Sequence, residues 1–284
     1  MASSPIFSSL TVSRPFFAAP SSNLFSAEAL LKRSLPNVVP ASRLAVRPTP
    51  ELVSSGISQV DVIAGGFPRG CLTEVCGPNS SGRTSLLLAA LLAATRRAEV
   101  CALVDVSDAF DPASAASAGV DFQKLLWVRC GEKQTSSPRR HRETEENLDC
   151  IEQALRVTDL LLQSGGFGLV AIDLADGPFN IARRIPLASW FRFQRAVEHT
   201  STVLLVITPA PCAQSCAALL LKMQAESLEK KPPAFSSQFS GCDIPAHAEL
   251  LQGFETRTEV LRSRTARKPG RSVSETFTTK AAAG

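Results

Sequence analysis

The chain has 284 residues, 44% of them apolar, a formal net charge of +4 and eight cysteines. That length suits one domain of about 200–230 residues plus tails, and the mild positive charge permits a nucleic-acid partner without demanding one. The cysteines (Cys71, Cys76, Cys101, Cys130, Cys150, Cys212, Cys216 and Cys242) are scattered, several inside apolar runs. They describe reduced thiols of an intracellular, cytoplasmic protein and argue against a disulfide framework. The longest apolar run, Leu86–Ala94, is too short to span a bilayer, so no membrane partner is expected.

Residues 1–27 hold no acid and are rich in Ser, Ala, Pro and Phe. A targeting segment and a mobile tail both fit this composition. Ser26 to Ser34 suits a short helix, and Pro36, Pro40, Pro48 and Pro50 then mark an extended linker. Residues 1–51 therefore read as an extension, 52–275 as the core and 276–284 as a C-terminal tail. Within the core, the run ending at Ile63 suits a short helix with Ser58 as its cap, and residues 65–70 form a turn.

Leu72 to Cys76 reads as a buried strand, and Ser85 to Thr95 as an Ala/Leu-rich helix. Between them lies Gly77-Pro-Asn-Ser-Ser-Gly-Arg-Thr84. Strand, Gly-rich loop and helix in that order are the context of a phosphate-binding loop, G-x-x-x-x-G-K-[ST]. Gly77 and Gly82 allow a tight turn whose N–H groups point at phosphate oxygens, and the helix adds its positive end. Asn79, Ser80, Ser81 and Ser85 complete the cradle, and the Thr84 hydroxyl suits Mg2+. Arg83 stands where the pattern has lysine. Its planar fork keeps the charge but needs a different cavity.

Val100 to Val106 is the next strand, with Asp105 near its end, and Ala113 to Ala118 suggests a helix. Leu125 to Val128 is a third strand. The charged stretch Glu132 to Asn147 reads as an exposed loop. Leu148, Ile151, Leu155, Thr158, Leu161 and Leu162 follow helical spacing up to Gly165-Gly166. Leu169 to Asp173 is a fourth strand; the acid at its end suits an indirect hold on Mg2+. Ala182 to His199 reads as helical, Thr202 to Thr208 as a fifth strand and Cys212 to Met223 as a helix. Glu226 to Glu249 is irregular, and Phe254 to Leu261 reads as a strand. The alternation predicts an α/β fold with a largely parallel sheet and ligands at the strands' carboxyl ends.

These motifs, in this order, resemble the ATPase core of the RecA recombinase family. Gly66-Phe-Pro-Arg-Gly70 is similar to the family's G-[LF]-P-x-G turn, and Gly77 to Thr84 to its G-P-E-S-S-G-K-T. Leu103-Val-Asp-Val-Ser-Asp-Ala-Phe-Asp-Pro112 resembles F-I-D-A-E-H-A-L-D-P, which sets Asp111 where the family contacts adenine. Val260 to Pro269 resembles the late V-V-K-N-K-x-A-x-P. The resemblance implies a RecA-like P-loop NTPase fold, with ATP and Mg2+ as cofactors.

Three departures accompany it. Arg83 replaces the loop lysine. Ser107 falls where the family has its catalytic glutamate and cannot accept a proton from water; Asp105 and Asp108 are the nearest substitutes. Thr208-Pro-Ala-Pro211 replaces the glutamine that senses the γ-phosphate. The combination is similar to short RecA-like paralogues of the ImuA type, which accompany translesion polymerases in the DNA damage response. On this resemblance, the family's appended C-terminal domain is not expected in the chain.

Three functions follow from the resemblance: a DNA-repair accessory protein with weak or lost ATP hydrolysis, an active single-stranded-DNA-dependent recombinase, and a protein-interaction module akin to cell-division inhibitors of this fold. The implied partners are single-stranded DNA, repair proteins or polymerase accessory factors, and further copies of the chain in a filament. Candidate DNA contacts are Arg183, Arg184, Arg192 and Arg195, with Trp190, Phe191 and Phe193 near enough to stack on bases. A second basic group includes Arg264, Arg267 and Lys268. His141, His199 and His247 show no ligand spacing, and Cys212 with Cys216 has no second pair for zinc.

Overall fold

Buried on both faces, the central strands alternate strictly between two cores. In the computed structural model, Cys101 and Leu103 of one strand join one apolar cluster, while Ala102 and Val104 join the other. Val203, Leu205 and Ile207 against Leu204 and Val206 repeat the pattern. This is why these strands read as unbroken apolar runs in the sequence. The model describes residues 49–130, 142–175, 183–230, 251–264 and 274–280. Residues 1–48 of the expected extension, with its helix at 26–34, and Arg267 and Lys268 lie outside them.

In chain order the elements are β1 (Leu52–Val53), α1 (Ser58–Ala64), β2 (Phe67–Pro68), β3 (Cys71–Cys76), α2 (Arg83–Arg96), β4 (Cys101–Asp105), α3 (Pro112–Ala118), β5 (Leu125–Arg129), α4 (Arg142–Ser164), β6 (Leu169–Asp173), α5 (Leu187–Val197), β7 (Val203–Thr208), β8 (Ala217–Lys230), β9 (Leu251–Ser263) and β10 (Ser274–Lys280). Eight strands form one sheet in the order β10-β9-β8-β3-β7-β6-β4-β5. From β8 to β5 every pairing is parallel; β9 and β10 add antiparallel strands at the other edge. Leu86, Leu87, Ala90 and Leu91 of α2 cover one face. Ile151 and Leu155 of α4, with Trp190 and Phe193 of α5, cover the other. The fold is the α/β, largely parallel architecture of a RecA-like core.

Five expectations change. Cys212 to Met223 is not a helix: a short 3-10 turn, Gln214–Cys216, leads into β8, which also takes in residues 226–230 of the stretch expected to be irregular. Its Ala/Leu-rich text favours a helix by propensity, but pairing with β3 and β9 fixes it as a buried strand. Helix α4 begins at Arg142, so the expected loop is helical from there to Asn147. Ser58 is not a cap. Ile57 holds the N-cap position without a side-chain bond, and the Asp61 carboxylate within the helix ties down the preceding segment, accepting from the Ser55 N–H at 2.8 Å and the Ser54 hydroxyl at 2.6 Å. Finally, Ser274–Lys280 pairs with β9, so the sheet takes in residues assigned to the start of a tail.

Candidate functional site

Strand β3 delivers the chain into the loop at Gly77, and α2 takes it out at Arg83. Between them the backbone turns left-handed at Ser80 (φ 59°) and Gly82 (φ 85°). Glycine is required at 82, and tight packing holds Gly77: a Cβ there would overlap the Met223 carbonyl oxygen of β8. The first intrahelical bond of α2 runs from the Leu86 N–H to the Gly82 carbonyl. The N–H groups of Arg83, Thr84 and Ser85 therefore precede the helical ladder. No side chain caps this end, and no acid lies in its first turn. Such an end attracts an anion. Asn79, Ser80 and Thr84 are exposed, Ser85 is half-buried and Ser81 is buried.

Arg83 does not project into this opening. The residue is 5% exposed. Its Nη1 donates to the Thr208 carbonyl at 2.8 Å and its Nη2 to Asn79 Oδ1 at 3.2 Å. The same Thr208 carbonyl accepts the Gly77 N–H at 3.3 Å. The guanidinium thus ties the loop to the end of β7.

Beyond β7 the chain is fixed by a residue the sequence reading passed over. Glu74, fully buried in β3, accepts from the Cys212 N–H at 2.6 Å, the Ala213 N–H at 3.2 Å and the Thr208 hydroxyl at 3.3 Å. An acid inside an apolar strand run was the available signal, because a buried carboxylate needs partners. Cys76 and Cys212 flank it. Burial, reinforced by the Glu74 charge, pushes the Cys76 thiol up to about 12 and raises Cys212 further.

Asp173 ends β6 in register with Ile207 of β7, which is in register with Val75 of β3. Two strand spacings, about 10 Å, separate it from the strand that feeds the loop. Its Oδ1 accepts the Ala175 N–H at 2.9 Å. Thr84 and Asp173 thus suit an indirectly held Mg2+ beside a bound phosphate. The substitutes for a catalytic base are engaged. Asp105 accepts from the Ala109 and Phe110 N–H groups and from Trp127 Nε1. Asp108 receives Arg129 through both oxygens, at 2.6 and 2.5 Å. Asp111 caps α3, accepting from the Ala113 N–H, the Ser114 N–H and the Ser114 hydroxyl. The backbone of the loop fits a nucleotide's phosphates. Arg83, held inside, does not reproduce the lysine that would reach them.

The stacking residues expected around α5 are divided. Trp190 and Phe193 are fully buried, each 0% exposed, and belong to the core; only Phe191, 49% exposed, faces solvent. Arg192 bonds Asp159 of α4 at 3.1 Å and lies over the Phe193 ring. Arg183, Arg184 and Arg195 are exposed, as is Arg264 after β9. Among the described residues, no group of three His, Cys, Asp or Glu side chains is placed to hold a metal, and no helix is long and apolar enough to cross a membrane.

A parallel sheet, a Gly-rich loop between β3 and α2, and an acid two strands away define a P-loop protein. Residues 43–137 of the chain match the family model described as the RecA N-terminal domain, and the chain is similar to curated RecA proteins. It is 38% identical over 125 residues to "Protein RecA" of Allorhizobium ampelinum, covering 43% of this chain and 30% of that protein. Against "Protein RecA" of Prochlorococcus marinus the identity is 38% over 143 residues, 50% of this chain and 33% of the other. Against that of Corynebacterium aurimucosum it is 36% over 129 residues, 45% and 29%. The chain spans about a third of the length of the curated relatives it matches.

Proposed function

We propose that this protein is a RecA-like DNA repair and recombination factor of the accessory kind, binding DNA, repair proteins or both, with weak or lost ATP hydrolysis. The observation that carries this reading is the inward Arg83, held by Thr208 and Asn79 at the place of the phosphate-reaching lysine. Ser107 at the catalytic glutamate position, with Asp105 and Asp108 both engaged, supports it. Nucleotide remains a ligand in this reading. The N–H groups at the start of α2 receive phosphate, Thr84 and Asp173 organise Mg2+, and Ser107 offers water no base. ATP then serves as a structural or switching ligand.

A short paralogue of the ImuA type, acting in the cytoplasm beside a damage-response polymerase, is the finer form of the reading. Self-association through residues before the core belongs to it as well. Exposed Arg184 and Arg195 offer phosphate contacts, and the salt dependence of binding follows from them. The test is fluorescence anisotropy of a labelled single-stranded oligonucleotide at low salt, with and without Mg-ATP. Salt-sensitive binding is expected. No binding in either condition would favour the pure protein-interaction module.

A further inference from the structure

Two hydroxyls beneath the phosphate loop have no hydrogen-bond partner among the described residues. Ser81 Oγ belongs to the loop itself and the residue is 1% exposed; Thr256 Oγ1 comes from β9 and the residue is 0% exposed. Both face the loop's two glycines. A Cβ added at Gly77 would stand 2.6 Å from Ser81 Oγ, and one added at Gly82 would stand 2.8 Å from Thr256 Oγ1. Thr256 is held from both sides, in register with Ala225 of β8 and Phe277 of β10. Its side chain therefore cannot drift from the loop without disturbing three strands.

A buried hydroxyl without a partner is a cost that folded proteins seldom leave standing. Here two such costs meet the one segment expected to rearrange around a ligand. We propose that Thr256 is a positioning residue of the phosphate loop: its hydroxyl pairs with that of Ser81 when an anion is held on the N–H groups at the start of α2. A contact made in the bound loop and absent from the free one adds to affinity in full. Strand β9 would thus help set anion affinity without touching the anion. The proposal rests on the reading of residues 77–84 as an anion site.

The full chain is titrated calorimetrically with inorganic pyrophosphate and with Mg-ADP, and the unliganded Tm is measured beside it. Thr256→Val keeps shape and removes the hydroxyl. It should weaken both probes about tenfold, the equivalent of one ordinary hydrogen bond, while the unliganded Tm holds or rises because an orphaned group is gone. Thr256→Ser should bind within about twofold of the wild type. Ser81→Ala should match the valine variant, and the double variant should be no weaker than either, as for partners in one contact. Unchanged affinity in Thr256→Val, or losses that add in the double variant, would overturn the proposal. Wild-type protein that binds neither probe would overturn it too, leaving the accessory reading to its DNA and turnover assays. Brisk ATP turnover would do the reverse.

Discussion

Arg83 and Thr208 meet across 125 residues of chain, the guanidinium donating to the carbonyl oxygen at 2.8 Å. One end of this contact starts the helix after the phosphate loop; the other ends the strand that lies between the loop and Asp173. A lysine can place one ammonium near Thr208 but cannot also span to Asn79 with a planar fork. Arg83→Ala leaves the buried Thr208 carbonyl short of a donor. It should cost about 1–3 kcal/mol in urea unfolding, and Arg83→Lys should cost less while raising affinity for Mg-ATP. Equal affinity in wild type and Arg83→Lys would show that the inward arginine does not limit binding.

Glu74 should matter more for stability than any residue of the loop. Glu74→Ala strands the Cys212 and Ala213 N–H groups and the Thr208 hydroxyl in the interior. A loss of about 3 kcal/mol or more in denaturant unfolding is expected. A loss below about 1 kcal/mol, the scale of an ordinary exposed contact, would mean that the segment after β7 does not depend on this carboxylate.

The buried thiols set the alkaline limit. Burial, followed by the charges of Glu74 and Glu99 respectively, pushes Cys76 and Cys101 up to about 12 from an ordinary value near 9. Burial also lifts Cys130 to about 11. Below pH 9 these thiols are neutral in both folded and unfolded chains. Above it the unfolded chain ionises first, so each thiol's contribution to stability is lost as pH rises from about 9 toward its folded value. Tm should therefore fall steeply between pH 9 and 10.5. In the folded protein at pH 8, alkylation should reach half-buried Cys71 and Cys150 before buried Cys76, Cys101 and Cys212. A flat Tm or uniform labelling would contradict this.

Asp111 separates a cap from a base contact. Three donors hold its carboxyl below the usual carboxylate range, the Ser114 hydroxyl foremost. The stability it adds is present above pH 4 and lost as pH falls through the lowered value. Asn also caps helices well, so Asp111→Asn should keep Tm near wild type whereas Asp111→Ala lowers it. Tighter binding of ADP than of pyrophosphate, erased in Asp111→Asn, would assign the carboxylate to the adenine as the family resemblance implies. No difference would leave it as a cap alone.

Wherever short-range chemistry dominates, the sequence carried the fold. The strands from β3 to β7, the loop and α2 follow from apolar runs and two glycines, and the RecA resemblance rests on the same residues. What it did not carry depends on partners distant in the chain. Cys212 to Met223 has helical composition, yet from Ala217 onward it is strand because β3 and β9 claim both its edges. Trp190 and Phe193 resemble a stacking platform beside arginines, yet α4 and the sheet bury them and Asp159 takes Arg192. Arg83 was legible as a departure, but its inward turn required Thr208, 125 residues away.

The basic face that remains is correspondingly smaller. Arg184→Glu with Arg195→Glu should weaken single-stranded DNA binding and flatten its salt slope by about 1.4, the share of two phosphates. Arg192→Ala should do less, because its charge is already met by Asp159. Equal effects would restore Arg192 to the contact surface.

The most direct measurement is steady-state ATP hydrolysis by the wild-type protein and by Asp173→Ala, with Mg2+, with and without single-stranded DNA. With Arg83 turned inward and Asp105 and Asp108 both engaged, both proteins should stay at the same background rate whether or not DNA is present. DNA-stimulated turnover in the wild type that disappears in Asp173→Ala would contradict this and identify a working recombinase-type motor.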